Sequence, residues 1–235
     1  MLDKLIAVIT ALIISLFSFP QPTSVPVFPT PTHFPSPTPI VKRQLVKLNA
    51  PFTSQAPNYD WKDLRLQDGC EEATILMAYY WAKDKKLNSE IALKEIFSMS
   101  EYQSAHYSEY RDTSLVDTAE RLLKGHYSYE NFLITNNVSL QQIISALYEK
   151  HLVILPMNGK LLHNPNYTGA GPDRHMLLLI GYDPETKEFI SNDAGTWRGQ
   201  NYRYSQDTVY SAIRDYITGY HIPIPDIRKN MLEVF

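Results

Sequence analysis

The chain has 235 residues, 44% hydrophobic and 20% charged, with a net charge of -3. That is enough for one domain with a sizeable core once a non-globular N-terminus is set aside. The weak negative balance, with no concentrated basic stripe, gives no electrostatic ground for a nucleic-acid partner, and the small cluster Lys42, Arg43 and Lys47 reads as a solvated face.

Residues 5–19, LIAVITALIISLFSF, form an apolar run behind the single basic residue Lys4. The pattern is that of a secretory signal without a clear small-x-small cleavage site, and the run is short for a span of about 17–25 residues. A cleaved signal over 1–19 and an uncleaved N-terminal anchor both fit, and either places the rest of the chain outside the cytoplasm. Eight of the sixteen prolines fall in residues 20–39, PQPTSVPVFPTPTHFPSPTP, with no charge and no glycine. Such a stretch favours extended, solvated polyproline geometry. Residues 20–44 are therefore a spacer, and 45–235 the globular domain.

Residues 46–54 predict a short strand entering a loop that ends at Gln55. Asp68-Gly69 is a turn, and Ala73, Leu76, Met77, Tyr80 and Trp81 recur at the spacing of a buried helical stripe over 70–83. The only cysteine, Cys70, stands where that loop becomes a helix. Unpaired N–H groups and the positive end of the helix dipole there favour a thiolate, whereas Glu71 and Glu72 oppose one. A lone cysteine is most often a small buried hydrophobe. An unpaired thiol outside the cytoplasm is also a liability whose presence suggests a use. Both readings stand on these residues alone.

Further helices are predicted over 89–99, over 114–124 with Ser114 as cap and Gly125 as stop, and over 139–150 from the capping box Ser139-x-x-Gln142. The tyrosine-rich stretch around Tyr102, Tyr107 and Tyr110 is read as packing between helices. Residues 152–157, LVILPM, read as a buried strand. Residues 158–174 are dense in Gly, Pro and Asn and long for a connection in a compact domain, the kind of loop that carries function. Helices first and strands later make an α+β domain.

If Cys70 is a nucleophile it needs a base, and seven histidines compete. His33 lies in the spacer. His106, His126, His151 and His221 have no distinguishing context, and His163 lies in the long loop within possible reach of a substrate. His175 is different, because it opens the strand 176–182, MLLLIGY, under the glycine-rich loop. A strand over 188–193 should return beside it. Pairing Tyr182 with Glu188 places Leu177 opposite Asp193, and His175 then lies diagonal to Asp193, about 7–8 Å away. A one-residue slip would send the two side chains to opposite faces. Asp193 is either the orienter of the imidazole or a turn cap in Asn192-Asp193-Ala194-Gly195.

Four segments together resemble a known family: PFTSQ (51–55), GCEEAT (69–74), HMLLLIGYD (175–183) and NDAGT (192–196). They are similar to the papain-like cysteine peptidases, in the branch of the double-glycine peptidases that process bacteriocin leaders, and the likeness runs from about Leu48 to Tyr216. The resemblance implies a papain-like α+β fold, N-terminal helices packed on an antiparallel sheet. It implies Cys70 as nucleophile, His175 as general base and acid, Asp193 as orienter and Gln55 as an oxyanion donor beside the Cys70 backbone N–H. Ala194 departs from the family's usual proline, and no transporter bundle is attached. On this reading the chain is an extracytoplasmic thiol hydrolase acting on a peptide, protein or cell-envelope amide. It needs no metal or organic cofactor, works as a monomer, and meets the membrane only through its N-terminal segment. Two alternatives stay open: acyl transfer or deamidation at the same site, and a catalytically idle surface module gripping a peptide or glycan with its tyrosines and Trp61, Trp81 and Trp197.

Overall fold

The computed structural model describes residues 43–235. The signal or anchor segment and most of the proline-rich spacer lie outside the described residues. Among the described residues, no helix is long and apolar enough to cross a membrane.

A seven-stranded antiparallel sheet forms the middle layer. Its strands are β1 (Val46–Lys47), β2 (Phe132–Thr135), β3 (Leu152–Met157), β4 (His175–Asp183), β5 (Glu188–Asn192), β6 (Tyr202–Ser205) and β7 (Met231–Val234). They lie in the order β2-β7-β3-β4-β5-β6, with β1 also paired to β4. Strand β3 is buried along its whole length and β4 from His175 to Tyr182, because both faces of the sheet are covered there. Met176, Leu178 and Ile180 enter the core shared with the N-terminal helices, and Leu177 and Leu179 enter a second core beneath the later ones.

The first core is built around α2 (Cys70–Ala82), preceded by the single turn α1 (Leu64–Gln67) and followed by α3 (Ser89–Tyr107) and α4 (Leu115–Thr118). Helix α2 was expected to be amphipathic, yet all of Cys70 to Tyr80 is buried. Its middle is apolar on every side, which suits a central rather than a surface helix. Helix α3 runs eight residues beyond the expected 99, since nothing before Ser108 breaks it; Ser108 ends it in the left-handed conformation. Tyr102 and Tyr107 therefore belong to that helix and pack edge to face. Ser114 caps α4 as expected, and the chain continues as a π-helix over Ala119–His126.

On the other face lie α5 (Leu140–Tyr148), with both hydrogen bonds of the predicted capping box, and α6 (Gln206–Ala212), capped by Ser205. Their Ile143, Leu147, Val209 and Ala212 fill the second core. The architecture is the expected α+β arrangement of N-terminal helices followed by an antiparallel sheet, with α5 and α6 covering the face the helices leave open.

The β4–β5 pairing decides whether His175 and Asp193 can meet. Near the turn, Asp183 lies opposite Glu188 and Tyr182 opposite Phe189, one residue away from the expected register. A bulge between Leu179 and Gly181 absorbs one residue, so that Leu179 lies opposite Ser191 and Leu178 opposite Asn192. The expected register is thus restored at the end that matters. Without the bulge, Asp193 would turn to the wrong face.

Candidate active site

The end of the sheet where β4 begins and β5 finishes opens into a cleft of about 1070 Å³. Gln55, Cys70 and His175 all line it. The loop 158–174 forms one wall, as the sequence suggested, through residues such as Tyr167 and Arg174, while Trp61 and Trp197 stand at another. Tyr59 stacks on Trp197 with ring centroids 3.7 Å apart.

Cys70 is the first residue of α2, and Thr74 one turn later ties that helix to β4 by donating its hydroxyl to the Met176 carbonyl at 3.1 Å. Cys70 is 8% exposed and lines the cleft. It is therefore not sealed in aliphatic packing. Burial pushes the thiol well above its ordinary pKa, and the neighbouring Glu71 and Glu72 push it the same way, whereas backbone hydrogen bonding from Met176 favours the thiolate. Both links place Cys70 beside the residue that follows His175.

His175 donates or accepts through Nε2 at 2.8 Å from Asp193 Oδ1. Asp193 is an anion with no solvent contact. Burial alone would raise its pKa, but the charge and hydrogen bond of His175, with the hydroxyls of Tyr167 and Tyr204, bring it down to about 2. An ionised carboxylate only accepts, so Nε2 carries the proton and Nδ1 is the nitrogen left to accept one. Three donors converge on the other carboxylate oxygen, Oδ2: Tyr167 Oη at 2.7 Å, Tyr204 Oη at 2.6 Å and Asn164 Nδ2 at 3.2 Å. The Gly195 N–H adds a bond to Oδ1 at 3.0 Å.

The turn carrying Asp193 is held from both sides. The Asp193 N–H donates to the Gly199 carbonyl at 3.0 Å, and the Gln55 N–H donates to the Ala194 carbonyl at 2.9 Å. A Cβ on Gly199 would sit 1.8 Å from the Asp193 carbonyl oxygen, so only glycine allows this approach. Asn192 reaches back through Nδ2 to the Pro51 carbonyl at 3.0 Å. Alanine at position 194, in place of the proline usual in the resembling family, thus sits in a well-braced turn.

Gln55 lies in the cleft wall, but its carboxamide is engaged: Nε2 donates to the Leu66 carbonyl at 3.0 Å and to the Gln67 carbonyl at 2.7 Å. It braces the C-terminal end of α1, just before Cys70. His163 is exposed, at the end of a 3₁₀ turn. His221, which had no context in sequence, lines the cleft with its backbone N–H bound to Asp112. Of the three tryptophans, Trp81 packs against the first core instead. Tyr167, Tyr204 and Asn164 carried no signal as partners of Asp193, beyond two of them lying in the long loop.

Residues 47–218 match the Peptidase_C39 like family. The chain belongs to that family. The C39-like region so defined spans Gln55, Cys70, His175 and Asp193. A solved structure of a Bacillus anthracis protein assigned to the C39-like peptidases is also similar. It is 16% identical, with a TM-score of 0.50, and the match covers 82% of this chain and 98% of that one. At that identity the likeness speaks for the fold alone. A comparison with curated proteins finds no match. Membership in the C39-like family makes the chain one of the cysteine peptidase-like proteins, with a peptide as the substrate class the family suggests.

Proposed function

We propose that this C39-like chain is a thiol hydrolase of peptide bonds, with Cys70, His175 and Asp193 as its triad. The observation that carries the reading is the His175–Asp193 pair, 2.8 Å apart, opening into the same cleft as the chain's only thiol. The thiol proton passes to His175 Nδ1, the sulfur bonds to the substrate carbonyl carbon, and the electron pair moves onto its oxygen. His175 then delivers the proton to the leaving nitrogen as the C–N bond breaks, and water resolves the thioester to a carboxylic acid. The first N–H groups of α2 have no partner within the helix and are the backbone donors this scheme assigns to the developing oxyanion.

Gln55 is the side-chain oxyanion donor of this scheme once one carboxamide N–H turns from an α1 carbonyl to the substrate oxygen. Gln55→Ala is expected to lower kcat by about 10²–10³-fold, with a smaller change in KM, as for loss of one such donor. An unchanged kcat in steady-state assays on any cleaved peptide would remove Gln55 from the oxyanion site and leave it a brace for residues 66–67.

The reaction is placed outside the cytoplasm, on the strength of the apolar run 5–19 and the proline-rich stretch 20–39 behind it. Fractionation of cells producing the full chain should recover it in the membrane or the medium. Recovery in the cytoplasm alone would reject this placement.

A further inference from the structure

Glu71 is a buried acid that the proposed reaction leaves unused, and it touches the nucleophile. Its side chain follows Cys70 on α2 and is 1% exposed. One carboxylate oxygen, Oε2, accepts the Cys70 S–H at 3.0 Å, and the other, Oε1, accepts the Tyr216 hydroxyl at 2.7 Å. Tyr216 is fully buried and fixed in turn, since its N–H donates to Asp215 Oδ1 at 2.9 Å while Asp215 Oδ2 accepts from Asn230 Nδ2 at 2.7 Å. A thiol has one proton to donate, and here it points to Glu71 rather than to His175.

We propose that Glu71, anchored by Tyr216, is a positioning residue that holds Cys70 as an uncharged thiol at rest, so that His175 must compete with a neighbouring carboxylate for the sulfur's proton. The inference concerns the same site as the peptidase reading and rests on it only for the identity of the nucleophile. The groups acting on Glu71 come from every side. Cys70 and Glu72 share its helix, Asp112 comes from the connection before α4, Tyr216 from the segment after α6, and His175 lines the same cleft from β4. Asp112 is itself partly offset by Arg174, at 3.5 Å, and by the His221 N–H. Burial pushes the Glu71 carboxyl up to about 7 against the hydrogen bonds from Cys70 and Tyr216. One proton therefore serves two acids: with Glu71 charged the sulfur keeps its proton, and with Glu71 protonated a thiolate gains a donor instead of a repelling charge.

The test is the rate of iodoacetamide alkylation of Cys70 between pH 5 and pH 10, followed by mass spectrometry. No other sulfhydryl is present to confuse it. Glu71→Gln removes the carboxylate and offers an amide donor, and its alkylation midpoint is expected at least one pH unit below that of the parent, about ten-fold more thiolate at any pH below both midpoints. A midpoint within a few tenths of the parent's would overturn the proposal. Tyr216→Phe leaves Glu71 in place but removes one of the two donors that share its charge; at the pH where the thiol titrates Glu71 is ionised, so the carboxylate holds the S–H more tightly and the midpoint should move up. Where Glu71→Gln does not fold, Tyr216→Phe decides: an upward shift supports the restraint and an unmoved or lower midpoint rejects it. Alkylation needs no substrate. A Glu71-dependent midpoint in a protein that cleaves no peptide would leave this inference standing and remove the peptidase reading, and cleavage with an unmoved midpoint would do the reverse.

Discussion

Cys70→Ala will release no product from any peptide that the parent protein cleaves, a loss of about 10⁴-fold or more, as expected when the nucleophile of a cooperating triad is removed. Mass spectrometry of a peptide library incubated with parent and variant reads the difference directly. The result is clean only if the variant folds. The sulfur is buried and its proton satisfies Glu71 Oε2, so alanine leaves a buried acceptor without its donor, at a cost of about 1–3 kcal/mol. Cys70→Ser answers that concern. Its hydroxyl keeps a donor toward Glu71 in nearly the same volume, so the serine variant should melt close to the parent and still be inactive, because His175 would have to activate a much weaker nucleophile. Undiminished cleavage by either variant would end the thiol mechanism. If the parent cleaves nothing and Cys70→Ala binds the same peptides or glycans with equal affinity, the idle binding module is the better account of the cleft and of Trp61 and Trp197 on its wall.

The elements easiest to read from sequence were those decided locally. Ser139 and Gln142 form their capping box within four residues, and β3 coincides with the apolar run 152–157. The placing of His175 opposite the Asp193 turn also came from short-range pattern, but it came out right at the site for a reason the pattern did not contain. The pairing near the turn is one residue out, and the bulge beside Gly181 corrects it. Gly181 was the available cue, since a glycine inside a strand often marks a bulge or a close backbone approach; here β1 crosses so near that a Cβ would meet the Val46 carbonyl oxygen at 2.3 Å.

What the sequence hid depends on contacts between distant segments. Strand β7, MLEV, lies at the extreme C-terminus yet sits between β2 and β3, and four residues cannot announce such an insertion. Glu71 and Glu72 looked like ordinary acidic residues of a first helical turn. Their burial follows from Tyr216 and Gln103, which reach them from 145 and 31 residues away. The same holds for Tyr167 and Tyr204: tyrosines are abundant in this chain, and only the fold selects the two whose hydroxyls fix Asp193.

Those hydroxyls make Asp193→Asn the second large effect. Five donors meet the carboxylate, from His175, Gly195, Tyr167, Tyr204 and Asn164, and an amide can accept through one atom only. If the Asn oxygen takes the Oδ1 place, it keeps the His175 and Gly195 bonds, but its NH₂ then faces Asn164 and both hydroxyls, and the charge that stabilises an imidazolium is gone. In the flipped orientation the NH₂ confronts the Gly195 N–H and forces His175 into the tautomer that carries its proton on Nδ1, where it cannot accept from sulfur. Either way kcat should fall by about 10³–10⁴-fold, the scale on which a triad depends on its orienting carboxylate. The variant should also lose an acid-sensitive share of stability. Asp193 has its pKa lowered from 3.8 to about 2 on folding, so its contribution is fully present above the unfolded value and disappears as pH falls through about 2. The shift corresponds to about 2 kcal/mol in the native protein. Urea midpoints measured from pH 5 down to pH 2 should fall more steeply for the parent than for Asp193→Asn. Parallel slopes together with undiminished turnover would mean that Asp193 caps its turn and does not serve the imidazole.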